Sequence, residues 1–402
     1  MSPTPSVECL QAHGCSVALR RVEGPQWGEL CFNCRPPEGV NASEQAAAAW
    51  SAILDVLRKN GGSYANVVTE TIFLRSTYRD LSAVRDAREG VLEKGGMSFH
   101  RPAITELEQP PVSGMHAVEV LVQALIPARS PLTLNTCDAR TTCHCPECRR
   151  AHAVSVRTGE ETRLHAGSLY GAGDSAYGQT KNMFEVAENL LQQAGMAFSD
   201  VMRTWIYFTE MERDYADFNR ARREFFEDRG IDPIPASTGI GAGLIPAEHH
   251  VSLGIYAIKS DPPTERIVMT TPTLNEAPEY GSDFSRGMRV HEANGTRLLI
   301  SGTASLDETG GTAHVGDFEG QARRMLLNVE ALLKAQGAGF EDVVSAITYL
   351  KHPEDADRLF EIFHEAGYEG FPNNVVAAEV CRPELLCETE LLAALPAVRD
   401  TP

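Results

Sequence analysis

One stretch of this chain is written three times. It reads "EQAAAAWSAILDVLRKNGG" from Glu44, "YGQTKNMFEVAENLLQQAG" from Tyr177 and "EGQARRMLLNVEALLKAQG" from Glu319. Gln45, Gln179 and Gln321 hold the same place in the three copies, as do Gly61, Gly195 and Gly337. In the first copy Trp50, Ile53, Leu54 and Leu57 fall at i, i+3, i+4 and i+7, the pattern of an amphipathic helix. A recurrence of this length marks one supersecondary unit copied along the chain. At 402 residues there is room for three units of ordinary domain size.

The correspondence continues past the helix. Tyr64–Val67, Phe198–Val201 and Phe340–Val343 align, followed by "TETIFLR", "RTWIYFT" and "SAITYLK", apolar and rich in β-branched and aromatic residues as strands are. A second helix follows, with Arg88 aligned on Arg222 and Gly96 on Gly230; the third copy shortens it. Each copy closes on an extended stretch: "HAVEVLVQALIP", "HHVSLGIYAIK" and "LLCETELLAALP". Before the first helix stand "ELCFNCR", "TRLHAGSLYG" and "TRLLISGTASL". The unit therefore reads strand, strand, helix, strand, helix, strand, strand, and the chain is predicted to be α+β with three tandem units. The expected division is 1–126, a cysteine-rich linker at 127–151, then 152–260 and 261–402.

Charge narrows the partners. With 36 basic and 55 acidic residues the net charge is −19, which repels phosphate backbones and argues against nucleic acid. No run approaches the ~18 apolar residues of a membrane span. The opening "MSPTPSVECLQAHGC" has no basic stretch followed by an apolar core, so the expectation is a cytoplasmic protein.

Ten cysteines in such a chain point away from a disulfide framework. Four of them, Cys137, Cys143, Cys145 and Cys148, fall in "CDARTTCHCPEC" and can ring a tetrahedral structural zinc, with His144 or His152 as substitutes for one thiol. The other reading is an exposed loop of reduced thiols. Cys31 and Cys34 form a C-x-x-C inside an apolar run read as a strand, where residues three apart face opposite ways; they are expected in the core.

The repeated unit resembles the reactive-intermediate deaminase (Rid, formerly YjgF) fold, on "LLISGTASL" and "GDFEGQARRMLLNVEALLKAQGAGFEDVVSAITYL" in the third copy. Rid proteins are homotrimers with an active site at each subunit interface. The resemblance thus implies a single-chain pseudo-trimer, monomeric or weakly self-associating. The second and third copies are similar to a narrower branch, the chorismatases, on "RTWIYF", "YADFNRAR", "PASTGIGAG", "YGSDFSRG", "LISGTAS" and "CETE" between about residues 160 and 395. Chorismatases cleave the enolpyruvyl group from chorismate.

The resemblance also implies site residues. Rid deaminases hold a substrate carboxylate with an arginine after a Pro-Ala step; here the equivalents are Ile104, Ser237 and Asn374, which speaks against imine deamination. The family's final strand carries an E-x-E pair, placed here at Leu121, Gly254 and Glu388, so that only the third copy keeps it, as Glu388-Thr389-Glu390. In a chorismatase Glu388 would be the general acid, and a partly desolvated pocket raises a carboxyl pKa toward that task. Tyr215 and Arg222 are seven residues apart, two helical turns on one face, and match the family's Tyr-x6-Arg step; the first copy keeps Arg88 but has Leu81 for the tyrosine. Arg286 in "DFSRG", Gly302 and Thr303 in "ISGTAS", and Tyr207 in the Trp-x-Tyr step complete the expected substrate-binding set, with Arg203 a further cation. Ile206 stands where that step carries a polar residue in the family, and "TGIGAG" at 238–243 offers a glycine-rich edge.

The implied activity is a hydrolase or lyase that needs no cofactor for catalysis and acts on a small anionic metabolite. Two alternatives stand beside it: a Rid-like hydrolase of imines or enamines, and a non-catalytic metabolite-binding pseudo-trimer.

Overall fold

The computed structural model describes residues 7–24, 27–97, 99–128, 132–139, 148 and 152–396. The first unit contains β1 (Val7–Ala12), β2 (Cys15–Glu23), β3 (Trp27–Arg35), α1 (Ala42–Lys59), β4 (Val67–Leu74), α2 (Thr77–Lys94), β5 (Ala103–Glu108) and β6 (Val118–Pro127). The second repeats it as β7 (Thr133–Asp138), β8 (His152–Thr158), β9 (Glu161–Leu169), α3 (Ala176–Gln193), β10 (Val201–Phe208), α4 (Met211–Arg229), β11 (Ala236–Gly241) and β12 (Val251–Ser260). The third has β13 (Arg266–Val268), β14 (Gly287–Glu292), β15 (Gly295–Ala304), α5 (Phe318–Lys334), β16 (Val343–Leu350), α6 (Ala356–Ala366), β17 (Asn373–Ala377) and β18 (Cys387–Pro396).

Each unit is one six-stranded mixed sheet, in the order β1-β2-β3-β6-β4-β5 for the first and the same order for the others. β4 pairs parallel to β5 and antiparallel to β6, as β10 and β16 do with their partners. The parallel pair is what demands the second helix, because parallel neighbours need a crossover. The third of these helices has 11 residues against 18 and 19 in the first two.

The structure adds an element to the expected unit. Three strands, not two, precede the first helix, because β1, β7 and β13 each add an edge strand. β7 lies inside the segment expected as a linker, and β13 lies near the start of the expected third unit, ahead of its predicted strands. Both are short or half-exposed edge strands, which carry weak periodicity in sequence.

The recurring glutamine has a structural reason. Gln45 accepts from the Ala117 amide and donates to the Met115 carbonyl (2.7 and 2.9 Å). Gln179 accepts from His250 N (2.8 Å), and Gln321 accepts from Leu386 N and donates to Glu384 O (2.8 and 2.9 Å). Ala117, His250 and Leu386 are the residues just before β6, β12 and β18, so each first helix fixes the start of the last strand. Asn66, Asp200 and Asp342 recur likewise, each accepting from a backbone amide three residues earlier (2.9 Å).

Contacts run from each unit to the next. Glu108 and Gly243 exchange backbone hydrogen bonds between the first and second units. Gly241 N donates to Glu379 O between the second and third, and Ala377 N to Pro110 O between the third and first. At the centre all three units meet in a buried ion cluster. Arg297 of β15 binds Glu29 of β3 (2.9 Å) and Glu292 (2.8 Å), and Arg163 of β9 binds Glu292 (2.8 Å) and Glu161 (2.7 Å). Tyr256 donates to Glu292 and Gln123 to Glu29, and Arg163 lies 4.5 Å from the Trp27 ring centroid. Burial opposes the charge on Glu29, but the Arg297 guanidinium overrides it and holds that carboxyl at about 2.

Cys31 and Cys34 are buried in β3, as expected. Among the described residues no helix is long and apolar enough to cross a membrane. Because removing one member of a buried ion pair strands the other charge, Glu29→Gln is expected to cost roughly 3–5 kcal/mol. A urea-denaturation midpoint within experimental error of the wild type would show that the cluster does not hold the units together.

Candidate functional site

Glu388 sits in β18 with Tyr349 of β16 on one side and Ala304 of β15 on the other. It is 4% exposed, and no described group donates a hydrogen bond to it. Burial is the main cause that pushes its carboxyl from 4.5 up to about 8; neighbouring Glu390 adds to this, and Arg203 and Arg286 pull it back. Glu390, two residues on, has a different environment. It accepts from Arg203 Nη2 (2.7 Å) and Trp205 Nε1 (2.8 Å). Two carboxyls on one strand face are thus separated in role: one ion-paired, one protonated near neutral pH.

Gly302 makes this packing possible. It lies at a register shift in β15, and its amide donates to Thr238 Oγ1 of β11 (2.9 Å). A Cβ there would stand 1.9 Å from Glu388 Oε1 and 2.9 Å from the Thr238 methyl. Arg203 also donates to Thr238 Oγ1, so this hydroxyl links the two strands from the second unit to the glycine of the third. Thr303 is buried, its hydroxyl turned back to the Ser301 carbonyl (2.9 Å).

The second unit contributes the helix face. Arg222 of α4 is 4% exposed, packs 4.9 Å from the Phe218 centroid and donates to Asn219 Oδ1 (2.7 Å). Tyr215, one and then two turns before, packs on Phe208 and faces Arg222, Asn219, Ser282 and Cys381; burial pushes its hydroxyl up. Arg286 enters from the third unit, 2% exposed, with Nε on the Asn275 carbonyl (2.8 Å) and Nη2 on the Asn275 side chain (3.2 Å). It acts electrostatically on both Glu388 and Cys381. The structure thus brings Glu388, Arg286, Gly302, Tyr215 and Arg222 to one interface between the second and third units.

Tyr207 is placed differently. With Arg203, Trp205 and Glu390 it lines a central cavity of about 130 Å³ shared by all three units, whose walls do not include Glu388. Thr238 and Cys381 were missed from sequence. Cys381 is half-buried in the loop before β18, and burial, with the Glu388 charge second, pushes its thiol up to about 12. Both loop and position repeat: Ile245 and Cys381 lie six residues before the closing strands of their units.

Strand pairing corrects the placement of the glutamate. Phe73, Tyr207 and Tyr349 are equivalent positions, and they pair with Glu119, Ser252 and Glu388. Leu121 and Gly254 correspond instead to Glu390. The slip was two residues, which leaves side-chain alternation unchanged and so is invisible to it. The first unit therefore keeps a glutamate, but Glu119 is filled by protein donors: His116 Nδ1 and Asn374 Nδ2, both at 2.9 Å. Between the first and second units a cavity of about 420 Å³ is lined by Arg85, Arg88, Ser168, Tyr170 and Ile245, with Ser252 at the carboxyl's place in the closing strand. Of the three equivalent positions, only Glu388 is a carboxyl without a described donor.

Of the expected zinc ligands, Cys143 and Cys145, with His144, lie outside the described residues. Cys137 is buried in β7, in the second unit's core. His152 Nε2 lies 2.6 Å from the Pro102 carbonyl. Among the described residues no three His, Cys, Asp or Glu side chains gather as metal donors.

The raised Glu388 carboxyl has a stability consequence. The folded chain holds a proton there that the unfolded chain releases near pH 4.5, so stability from this group falls as pH rises from about 4.5 through about 8. Glu388→Gln removes that loss. Its urea midpoint relative to the wild type is expected to rise between pH 5 and pH 9; an unchanged difference would mean the carboxyl is not raised.

The family model described as endoribonuclease L-PSP matches twice, at residues 154–259 and 275–395. A 3-hydroxybenzoate synthase of Streptomyces hygroscopicus is 29% identical over 236 residues, 52% of this chain and 66% of that protein, so the chain spans just under two thirds of that relative. A RutC family protein of Pyrococcus horikoshii is 35% identical over 119 residues, 29% of this chain and 90% of its own length. The crystal structure of a chorismatase superposes with a TM-score of 0.58 at 18% identity, covering 82% of this chain and 93% of that one, a likeness of fold. With more than half of its length matched by that model, the chain belongs to the endoribonuclease L-PSP family, the Rid/YjgF superfamily that includes the chorismatase fold.

Proposed function

We propose that the interface between the second and third units cleaves the enolpyruvyl ether of chorismate or a similar small cyclic carboxylate. The observation that carries this reading is Glu388, a buried carboxyl held at about 8 beside two buried arginines. The likeness to a 3-hydroxybenzoate synthase supports the substrate class.

Glu388 enters the reaction protonated and delivers its proton to the terminal methylene carbon of the enol ether. The positive charge that develops at the ether carbon lies beside the carboxylate left on Glu388, which stabilises it. Water then adds at that carbon, and the hemiketal collapses to pyruvate and a ring alcohol. The hydrolytic course consumes one water and leaves a dihydroxylated ring; an eliminative course consumes none overall and leaves an aromatic hydroxy acid. Arg222 and Arg286, held in place by Asn219 and Asn275, bind the substrate carboxylates, as guanidinium geometry suits, and Tyr215 orients the ring. Every group in this scheme is a side chain of the chain itself, so the reaction is written without a cofactor.

Incubating the protein with chorismate and following pyruvate tests the proposal. Wild type is expected to release pyruvate, with kcat/KM falling as pH rises above about 8 because the acid form of Glu388 is lost. Glu388→Gln is expected to abolish release while still binding the substrate. Arg222→Met is expected to lower kcat/KM at least roughly tenfold, the loss of one charged hydrogen bond. Wild-type protein that binds chorismate without releasing pyruvate would favour the metabolite-binding alternative, and turnover of imines alone would favour the Rid-like hydrolase.

A further inference from the structure

The cavity between the first and second units occupies the place that Glu388, Arg222 and Arg286 hold between the second and third, but it carries different chemistry. Arg88 stands for Arg222, and Ser252 stands for Glu388. His152 precedes Ala153, which pairs with Ala166, as Arg286 precedes Gly287, which pairs with Ile300. His152 Nε2 lies 2.6 Å from the Pro102 carbonyl.

The charges of this cavity are matched within the first unit. Arg85 lays Nε and Nη2 on the two oxygens of Glu106, the first at 2.9 Å. Arg88 lays Nε and Nη2 on Glu70 Oε2, at 3.1 and 2.8 Å. The lining as a whole sets Arg85, Arg88 and Arg101 against Glu89, Glu93 and Glu106, and Glu70, buried behind Arg88, adds one more negative charge. A carboxylate ligand therefore meets no net positive charge here, and no carboxyl occupies the acid's place in the closing strand.

Hydroxyls are present instead. Ser168 and Tyr170 line the cavity, and the Tyr170 hydroxyl faces those of Ser168 and Ser252 and the Ile245 carbonyl. All three hydroxyl oxygens are buried, and none makes a hydrogen bond. Buried polar groups are nearly always paired, so three unpartnered hydroxyls side by side call for a ligand that pairs them. Ser168 is held at φ +48°, a left-handed conformation that serine seldom adopts and that recurs at ligand-binding positions. Tyr170 is fixed by its ring, which packs on His249 with centroids 4.7 Å apart; His249 Nε2 in turn meets the buried Cys148 thiol at 3.2 Å. Leu92, Ile104 and Ile245 give the cavity an apolar wall.

We propose that this cavity is a second, non-catalytic site that binds a small uncharged ring molecule bearing hydroxyl groups. A ligand hydroxyl enters between Ser168 and Tyr170, with Ser252 behind them completing the hydrogen-bonded row, and the ring face lies on Leu92, Ile104 and Ile245. The volume of about 420 Å³ is that of a small-molecule pocket.

The probe is resorcinol, an uncharged dihydroxybenzene, titrated calorimetrically into the full-length protein. Wild type is expected to bind it at one saturable site. Tyr170→Phe and Ser168→Ala are each expected to weaken binding about two- to tenfold, the worth of one hydrogen bond. Glu388→Gln and Arg222→Met are expected to bind as wild type does, which separates this site from the one between the second and third units. The second probe is 3-hydroxybenzoate, in which a carboxylate replaces one hydroxyl; Tyr170→Phe is expected to leave its binding unchanged. Absence of saturable resorcinol binding overturns the proposal, as does equal binding by wild type, Tyr170→Phe and Ser168→Ala. Binding of 3-hydroxybenzoate that Tyr170→Phe weakens overturns the uncharged class. A wild-type crystal soaked in resorcinol decides the matter even if a variant fails to fold: the ring is expected beside Ser168 and Tyr170, and density only elsewhere overturns the site.

Discussion

The ion cluster of Glu29, Arg163, Arg297, Glu292 and Glu161 joins all three units through buried charge. Charges this deeply buried are tolerated only when each finds a partner; here Arg163 pairs with Glu161 of its own strand and with Glu292 of the third unit, and Arg297 with Glu292 of the neighbouring strand and with Glu29 of the first unit. A single unit folded alone would expose or strand at least one of these charges. The cluster therefore works as a specificity device: it contributes little net stability over an apolar core, but it disfavours separated or misregistered units. The interface that holds Glu388 is fixed by the Arg163–Glu292 pair of this cluster together with direct contacts such as Gly241 N to Glu379 O and Gly302 N to Thr238 Oγ1.

At that interface, the two glutamates of β18 show how environment assigns role. Glu390 is neutralised by Arg203 and Trp205, and in turn raises the cost of a second charge on Glu388. Arg203 ties Glu390 to Thr238, and Thr238 binds the backbone of Gly302, against which the Glu388 carboxyl packs. A change at any member of this chain of contacts is felt at the acid.

Much of this was legible in sequence because it repeats. The helices, the closing strands and the recurring Gln45, Gln179 and Gln321 come from one motif copied three times, and copies reinforce each other's signal. Edge strands β1, β7 and β13 were not legible, because short, partly solvated strands have little periodicity. Tyr215, Arg222 and Arg286 were named by family resemblance: Arg286 acts on Glu388, and Tyr215 and Arg222 lie at the same interface of the second and third units, whereas Tyr207 faces the central cavity. The roles of Thr238 and Cys381 depend on how the units pack, and no local pattern carries that information. The slip that placed Leu121 and Gly254 opposite Glu388 arose because a two-residue shift preserves which face a side chain takes.

The glutamine brace has a consequence for how such a chain can change. Gln45, Gln179 and Gln321 position the closing strands through backbone groups alone. This brace does not depend on which side chains those strands carry. Glu119, Ser252 and Glu388 can differ in chemistry while occupying equivalent geometry. In three identical subunits any substitution appears at every interface together, but in a fused chain each interface mutates independently. Scaffold and reactivity are thereby separately heritable: one pocket can keep an acid while its two counterparts drift toward packing or toward other ligands.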